Sequence, residues 1–424
     1  MPMPQINRYP LGKDLLGFDT PPSGVTPEIV LLTAQDQGRS KGVLYTRGGE
    51  RTVVCVLHPR GDMSRHYLIP YLVDAGYAAF GQESRWPGND MMATHEGLLV
   101  DVAAAVRFLR ERGYRHVVLL GYSGGGSIYC FYQAQAVTTP PSRLTDTAGG
   151  DPLDLNRFDM PAADGMMFVS AHLGAGKSVM TEIDPSVIDE NDPLSCDPSL
   201  DMYNPANGFR EPPEHSHYSE AFLERYRAAQ VARVARIDAI ARQRIAEQRY
   251  FRELAAKPDF DRMQPHERTA IGRRAMVGTI MQVHRTTANP AMTDLSLHPS
   301  SRDYGSLMSV RPDLANYGEQ GFAKALSPRA WLSLWSGLSS RASILDHISK
   351  VTVPTLVVNF TGDGGIYPFS AQMTFDQSPA KEKTLSRVDG DHFGFPLSSK
   401  PNSGGRPEAG KVVAGWLRSH FPGR

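Results

Sequence analysis

The chain alternates short apolar runs with longer stretches of helical period. From about residue 27, "EIVLLTA" and "KGVLYTR", separated by "QDQGRS", read as an antiparallel hairpin. "TVVCVL" (Thr52 to Leu57) is a continuous apolar run, the pattern of a strand buried on both faces. "YLIPYLVDAG" predicts a short helix ending at Gly76, and "YAAFGQE" predicts another strand. In "HEGLLVDVAAAVRFLRERG" the apolar positions Leu98, Val102, Ala105, Val106 and Leu109 form a helical stripe that Gly113 closes. "HVVLL" is the next buried strand and "GGSIYCFYQAQA" the helix after it, while "DGMMFVSA" and "PTLVVNF" are further buried strands. Strand and helix in alternation predict a mostly parallel sheet of about eight strands with helices on both faces.

Between about His172 and Arg341 the strand signal disappears. "DPSVIDENDPLSCDPSLDMYNPANGFREPPEH" is rich in Pro, Asp and Asn and reads as irregular loop. A long helical pattern follows from "YSEAFLERYRAAQ" to "FRELAAK", with Val234, Ile237, Ala241, Ile245 and Phe251 near one face. Arg233, Arg236, Arg242 and Arg249 mostly avoid that face and read as a solvated surface paired with Glu and Asp, rather than as an anion site. "SILDHISKVTVPTLVVNF" then resumes the α/β pattern. The expected organisation is a core from residues 1–171 and 341–424, interrupted by a mainly helical insertion over 172–340.

Composition narrows the classes. A chain of 424 residues buries a large core. Lys+Arg and Asp+Glu both number 45, so the formal charge is zero, which argues against a bulk nucleic-acid binder or an anionic-membrane coat. Three scattered cysteines make neither a disulfide framework nor a zinc ribbon, and Cys55 and Cys130 sit in apolar surroundings as inert core residues. The start "MPMPQINRYPLGKDLLG" lacks a basic region followed by an apolar core, and no apolar run approaches the ~20 residues of a membrane span. The expectation is a soluble, cytoplasmic protein that needs no cofactor, acts on a small molecule and binds neither nucleic acid nor membrane, with a homodimer left open.

The stretch "GYSGGG" after "HVVLL" is where chemistry enters. Functional groups of parallel sheets collect at the carboxyl ends of strands, which is where Gly121 to Gly126 fall. Gly121, Ser123 and Gly125 fit G-x-S-x-G between a strand and a helix, a strained turn that lifts one serine hydroxyl out of the fold. Side chains two residues either side of the serine would collide. A phosphate loop fits worse: no Gly-Lys-Ser/Thr follows, and the dinucleotide spacing needs glycine at position 123. A serine hydroxyl needs a base, and the base needs an orienting carboxylate. Asp363 lies just beyond the strand in "PTLVVNFTGDGGIYP", and His392 lies in the loop after "KTLSRV". The order Ser, Asp, His with each at a strand end is far more specific than any one of them alone. His215 and His217 in "EHSHYS" have a spacing used by metal sites, but no third ligand is near and no metal is expected.

On "GYSGGG", "ISKVTVPTLVVNFTGDGGIYP" and "DGDHFGFP", the chain resembles an α/β-hydrolase over about residues 27–171 and 341–424. The resemblance implies Ser123 as nucleophile, His392 as base and Asp363 as acid, with Asp389 and Asp391 as competing neighbours. It implies an oxyanion hole from the N–H of Gly124 and an N–H in the loop "VLHPRGDMSRHY". The chain departs from the usual His-Gly there: it has His58-Pro59, which moves the donor to Arg60 and makes His58 a brace for the loop. The guanidinium of Arg60 either pairs with a substrate carboxylate, or points to solvent or braces a cap carboxylate. The insertion is expected to roof the pocket, with Tyr203, Phe209, Tyr218, Trp331 and Trp335 either lining it or packing the cap. A serine hydrolase of a carboxylic ester or lactone is the first choice. Thioesters, amides and carbon–carbon cleavage of diketone-like substrates remain open, and a non-catalytic binding module is the reading of a different class.

Overall fold

The computed structural model describes residues 5–88 and 91–424. Among them, one sheet holds eight strands in the order β1 (Glu28–Thr33), β2 (Arg39–Tyr45), β4 (Ala78–Gln82), β3 (Thr52–Leu57), β5 (His116–Tyr122), β6 (Gly165–Val169), β9 (Thr355–Phe360) and β10 (Lys383–Val388). β2 runs antiparallel to β1 and β4; every other pairing is parallel. The continuous apolar runs are the central strands, with β3, β4, β6 and β9 buried at every position. The edge strand β1 alternates instead, with Val30 and Leu32 inward and Ile29 and Leu31 outward.

Period-two alternation divides the core between the two faces of the sheet. Val53, Cys55, Leu57, Val117 and Leu119 face the helices α2 (His95–Glu111) and α3 (Gly124–Ala136), where Leu98, Val102, Val106 and Ile128 meet them. Val54, Val56, Val118 and Leu120 face the other side, against α1 (Ile69–Asp74) and the C-terminal helix α8 (Gly405–His420). Each fully buried aliphatic side chain contributes roughly 1.5–3 kcal/mol, so the strand ends that carry the site stand on a firm platform.

Residues 172–340 add α4 (Ala175–Glu182), the long helix α5 (Glu220–Ala255) and α6 (Pro265–Met276), and a π-helical turn at Trp331–Trp335. The segment is not free of strands: β7 (Met281–Gln282) pairs with β8 (Ala325–Leu326), a ribbon too short to leave a sequence pattern. The helix α7 (Pro368–Gln377) follows β9. The segment has a core of its own, in which Val234, Ile237, Ala241 and Ile245 of α5 meet Val179, Trp331 and Trp335, while Phe251 is only half-buried.

Arg233 corrects the solvated-face reading. It is buried, its guanidinium forked onto Glu190 at 3.0 and 2.8 Å and bonded to the carbonyls of Asp184 and His284. The Pro- and Asp-rich loop folds back onto α5 and supplies Glu190 and the Asp184 carbonyl, as it supplies Glu190 to Arg236, while the His284 carbonyl comes from the chain after α6. Arg242 and Arg249 likewise give hydrogen bonds to Ser339 and to the carbonyls of Gly149 and Gly150. The loop is ordered from within by the buried pair Arg285–Asp184 at 2.8 Å. The N-terminal residues pair with the far end of the segment, Ile6 accepting from the Val310 N–H and Arg8 donating to the Met308 carbonyl. No helix of the described residues is long and apolar enough to cross a membrane.

Candidate active site

β5 delivers Ser123 one residue beyond its last position. The Ser123 backbone has φ 51° and ψ −115°, the left-handed region that a non-glycine residue occupies at a cost of about 1–3 kcal/mol. The Ser123 N–H donates to the Val169 carbonyl at 3.0 Å, and Gly126 closes the turn onto the Ser123 carbonyl. The glycines are required by contact. A Cβ on Gly121 would stand 2.4 Å from the Gly126 Cα, and one on Gly125 would stand 1.8 Å from the Leu57 carbonyl oxygen. Strand β3 and helix α3 approach so closely here that no side chain fits. Gly124 opens α3, where the first N–H groups have no acceptor within the helix.

β9 ends at Phe360, and a turn brings Asp363 to the same edge of the sheet. Asp363 Oδ1 accepts from the N–H groups of Gly365 and Ile366, both at 2.8 Å, which fixes the carboxylate plane. Its Oδ2 lies 2.7 Å from His392 Nδ1. Both side chains are buried. The neighbouring acids are committed elsewhere. Asp389 pairs with Lys400 and accepts from Thr361, and Asp391 accepts from the Tyr9 hydroxyl and from the N–H groups of Phe393 and Phe395. The Tyr122 hydroxyl, one residue before Ser123, donates to the His392 carbonyl at 2.5 Å and ties the two loops together.

Ser123, Gly124 and His392 line one cavity of about 760 Å³, largely apolar, walled from the sheet side by Tyr122 and Ile366 and from residues 172–340 by Met292, Leu307, Leu334 and Trp335. Of the five aromatics singled out in the insertion, only Trp335 reaches it. Trp331 is buried and donates to Asp238, Tyr218 stacks on Phe222, and Tyr203 packs edge-on to Phe209. Ile6, Asn7 and Leu16, for which the sequence offered no functional reading, also line the cavity.

His58 braces its loop, its Nδ1 accepting from the N–H groups of Arg60 at 3.2 Å and Gly61 at 2.9 Å. The Arg60 N–H, expected at the oxyanion, is therefore turned toward the imidazole, because Pro59 starts a tight turn that wraps the following N–H groups around the ring. The Arg60 guanidinium lies 5.2 Å from the Phe322 ring and 4.9 Å from the Trp335 ring, which stack on each other, a cation–π arrangement that joins the loop to the segment above it.

Sequence reasoning missed His172 and Glu182. His172 Nδ1 accepts from the Gly174 N–H at 3.1 Å, so the neutral ring carries its proton on Nε2. That nitrogen lies 3.2 Å from the point a Cβ on Gly124 would occupy. Burial, with the nearby His392 and Arg60, pushes the His172 pKa down to about 4. His58 and His95, also on the cavity, are held below the ordinary histidine range by burial first, His95 down to about 3. All three are neutral donors and acceptors near pH 7. Glu182, the last residue of α4, is buried on the same cavity, and burial pushes its carboxyl up to about 8. Cys55 and Cys130 are buried away from the cavity, and burial pushes the Cys55 thiol up to about 12. Among the described residues no group of three His, Cys, Asp or Glu side chains is placed to hold a metal ion.

No protein-family model and no curated protein matches the sequence. Solved structures do align along nearly the whole chain. DcsB in complex with its substrate analogue is 10% identical with a TM-score of 0.49, over 93% of this chain and 99% of its own. An esterase from Pyrococcus furiosus is 10% identical with a TM-score of 0.42, over 94% of this chain and 92% of its own. A thermophilic esterase from Thermogutta terrifontis is 13% identical with a TM-score of 0.40, over 93% of this chain and 100% of its own. The chain's own strand order, with β2 antiparallel and a strained serine turn between β5 and α3, is that of the α/β-hydrolase fold, and this is the fold of the protein.

Proposed function

We propose that the protein is a serine hydrolase that cleaves a carboxylic ester or lactone of a small organic substrate. The observation that supports this most is the Asp363–His392 pair, opening on the same cavity as a serine held at positive φ. In this reading His392 takes the Ser123 proton through Nε2 as the hydroxyl oxygen attacks the substrate carbonyl carbon. Asp363 keeps the Nδ1 proton in place and stabilises the imidazolium that forms. The oxyanion accepts from the Gly124 N–H and from His172 Nε2–H, a neutral donor whose tautomer is set by Gly174. His392 then protonates the leaving alcohol, and water repeats the sequence to release the acid. Residues 172–340 form the roof that excludes water and positions the carbonyl, with Arg60 seated against the stacked rings of Phe322 and Trp335 as its anchor.

Labelling with a fluorophosphonate probe tests the reading. Mass analysis should locate one adduct on Ser123, and Ser123→Ala should lower turnover of a p-nitrophenyl ester by orders of magnitude while the thermal melt stays close to that of wild type. An unlabelled Ser123, or wild-type turnover in the alanine variant, would remove the serine from the chemistry.

A further inference from the structure

The cavity is lined by two acids that no mechanism step uses, exposed Glu319 and buried Glu182. Glu182 is 8% exposed, lines the cavity with Ser123, and has no hydrogen-bond or ion-pair partner for its carboxyl among the described residues. Buried carboxylates are ordinarily paired, so an unpartnered one facing a cavity points to a ligand that completes it. Its place in α4 sharpens the argument. Glu182 stands at the carboxyl end of the helix, where the backbone carbonyls of Thr181 and Glu182 are taken up by Arg227 and the Ala288 N–H while the Glu182 carboxyl is not.

The groups packed around it are engaged with other partners. Arg227 of α5 donates to the Thr181 carbonyl, Gln230 and Asn289. Arg285 pairs with Asp184, and Arg302 gives its protons to the carbonyls of Ala291, Leu297 and His298. Tyr367 lies between Arg302 and the stacked ring of His298, and its hydroxyl feels the Glu182 charge. Burial holds His58, His95 and His172 in the neutral form, and the Arg60 guanidinium sits on Phe322 and Trp335. A cation from outside the chain is what the site lacks.

We propose that Glu182 forms a subsite for a cationic amine, so that the favoured substrates carry an ammonium group on the portion seated in the cavity. The proposal rests on the hydrolase reading for the word substrate, but not for the binding of the amine. Burial keeps the empty subsite in its acid form near neutral pH. An arriving ammonium ion converts it to the carboxylate, and one proton leaves to solvent for each amine bound. No covalent bond changes.

Two measurements separate the subsite from the hydrolase reading. The first compares the p-nitrophenyl esters of 6-aminohexanoic and heptanoic acids on wild type and Glu182→Gln. The ratio of kcat/KM for the ammonium ester over the neutral one should fall roughly ten- to a hundred-fold in the variant, the size of a lost charge-assisted hydrogen bond. The second is calorimetry of hexylammonium chloride binding to wild type at about pH 7 in buffers of different ionisation enthalpy, where close to one proton should be released per amine. This arm needs neither turnover nor a folded variant. Binding with proton release in a protein that hydrolyses no ester would keep the subsite and overturn the hydrolase reading. Ester hydrolysis with an unmoved ratio, or binding without proton release, would overturn the subsite and leave the hydrolase.

Discussion

Asp363→Asn separates orientation from bulk at the proposed triad. Asp363 Oδ1 is committed as an acceptor, because two backbone N–H groups converge on it at 2.8 Å, and Oδ2 faces His392 Nδ1 at 2.7 Å. An asparagine keeps its carbonyl toward Gly365 and Ile366, since the reverse would set its NH₂ against two backbone N–H groups. Its amide NH₂ then faces Nδ1, which must become an acceptor. The imidazole proton moves to Nε2, the nitrogen meant to take the serine proton, and the base is lost. Restoring the productive tautomer costs a hydrogen bond and opposes two N–H dipoles, and the imidazolium loses its buried counter-charge. By analogy with other triads the sum is about 10⁴-fold in kcat, or about 5.5 kcal/mol. The swap is isosteric, so the thermal melt should move little. Steady-state kinetics on a p-nitrophenyl ester, with Asp391→Asn as the control, provide the assay. A tenfold loss or less in Asp363→Asn, or a larger loss in Asp391→Asn, would refute the reasoning.

Two further expectations follow from groups on the cavity wall. Replacing His172 by Phe keeps an aromatic ring but removes the Nε2–H donor; kcat should fall about 10²- to 10³-fold with KM little changed, and His172→Gln should recover part of it. A phenylalanine variant with wild-type kcat would strike His172 from the oxyanion site. Glu182 also makes stability depend on pH: its folded pKa of about 8 exceeds the ordinary 4.5, so the folded state binds more protons between those values and stability falls as pH rises through that window. Its contribution is full below about 4.5 and lost above about 8, at most roughly 4–5 kcal/mol before water entry into the cavity reduces it. Denaturant melts at about pH 5 and pH 9 should therefore show a larger loss in wild type than in Glu182→Gln, and parallel losses would contradict it.

The strands and the triad candidates could be read from the sequence because both are local. A buried strand announces itself as a short apolar run, and in a parallel sheet its carboxyl end fixes where the next residues emerge. Ser123, Asp363 and His392 each stand within a few residues of such an end, so their convergence follows once the strand order is known. The close approach that demands Gly121 and Gly125 is similarly a property of one strand, one turn and one helix. Arg60 shows where that reasoning stops. The register placed its N–H near the serine, but the direction of the N–H was decided by the His58 ring two residues back, a side-chain contact that counting along the chain does not reveal.

The cavity wall is a different kind of object, and the difference explains which residues went unread. Glu182, Phe322 and Trp335 come together across 154 positions of a segment whose helices pack on one another rather than on the sheet. Apolar periodicity specifies that α5 has a buried stripe; it does not specify what meets the stripe or how a Pro- and Asp-rich loop returns over it. Arg233 is buried because that loop brings Glu190 and the Asp184 carbonyl to it and the chain after α6 adds the His284 carbonyl, and nothing in the spacing of the α5 arginines distinguishes Arg233 from its exposed neighbours. The same holds at the site. A histidine after β6 and a glutamate closing α4 are ordinary in sequence; His172 becomes a fixed N–H donor through the Gly174 N–H, and Glu182 becomes an unpaired acid because, among the described residues, the groups packed around it offer its carboxyl no partner. Chemistry common to the fold is thus written near strand ends, whereas selectivity for one substrate is written in long-range packing. The residues proposed to set the substrate are accordingly those that only the three-dimensional arrangement discloses.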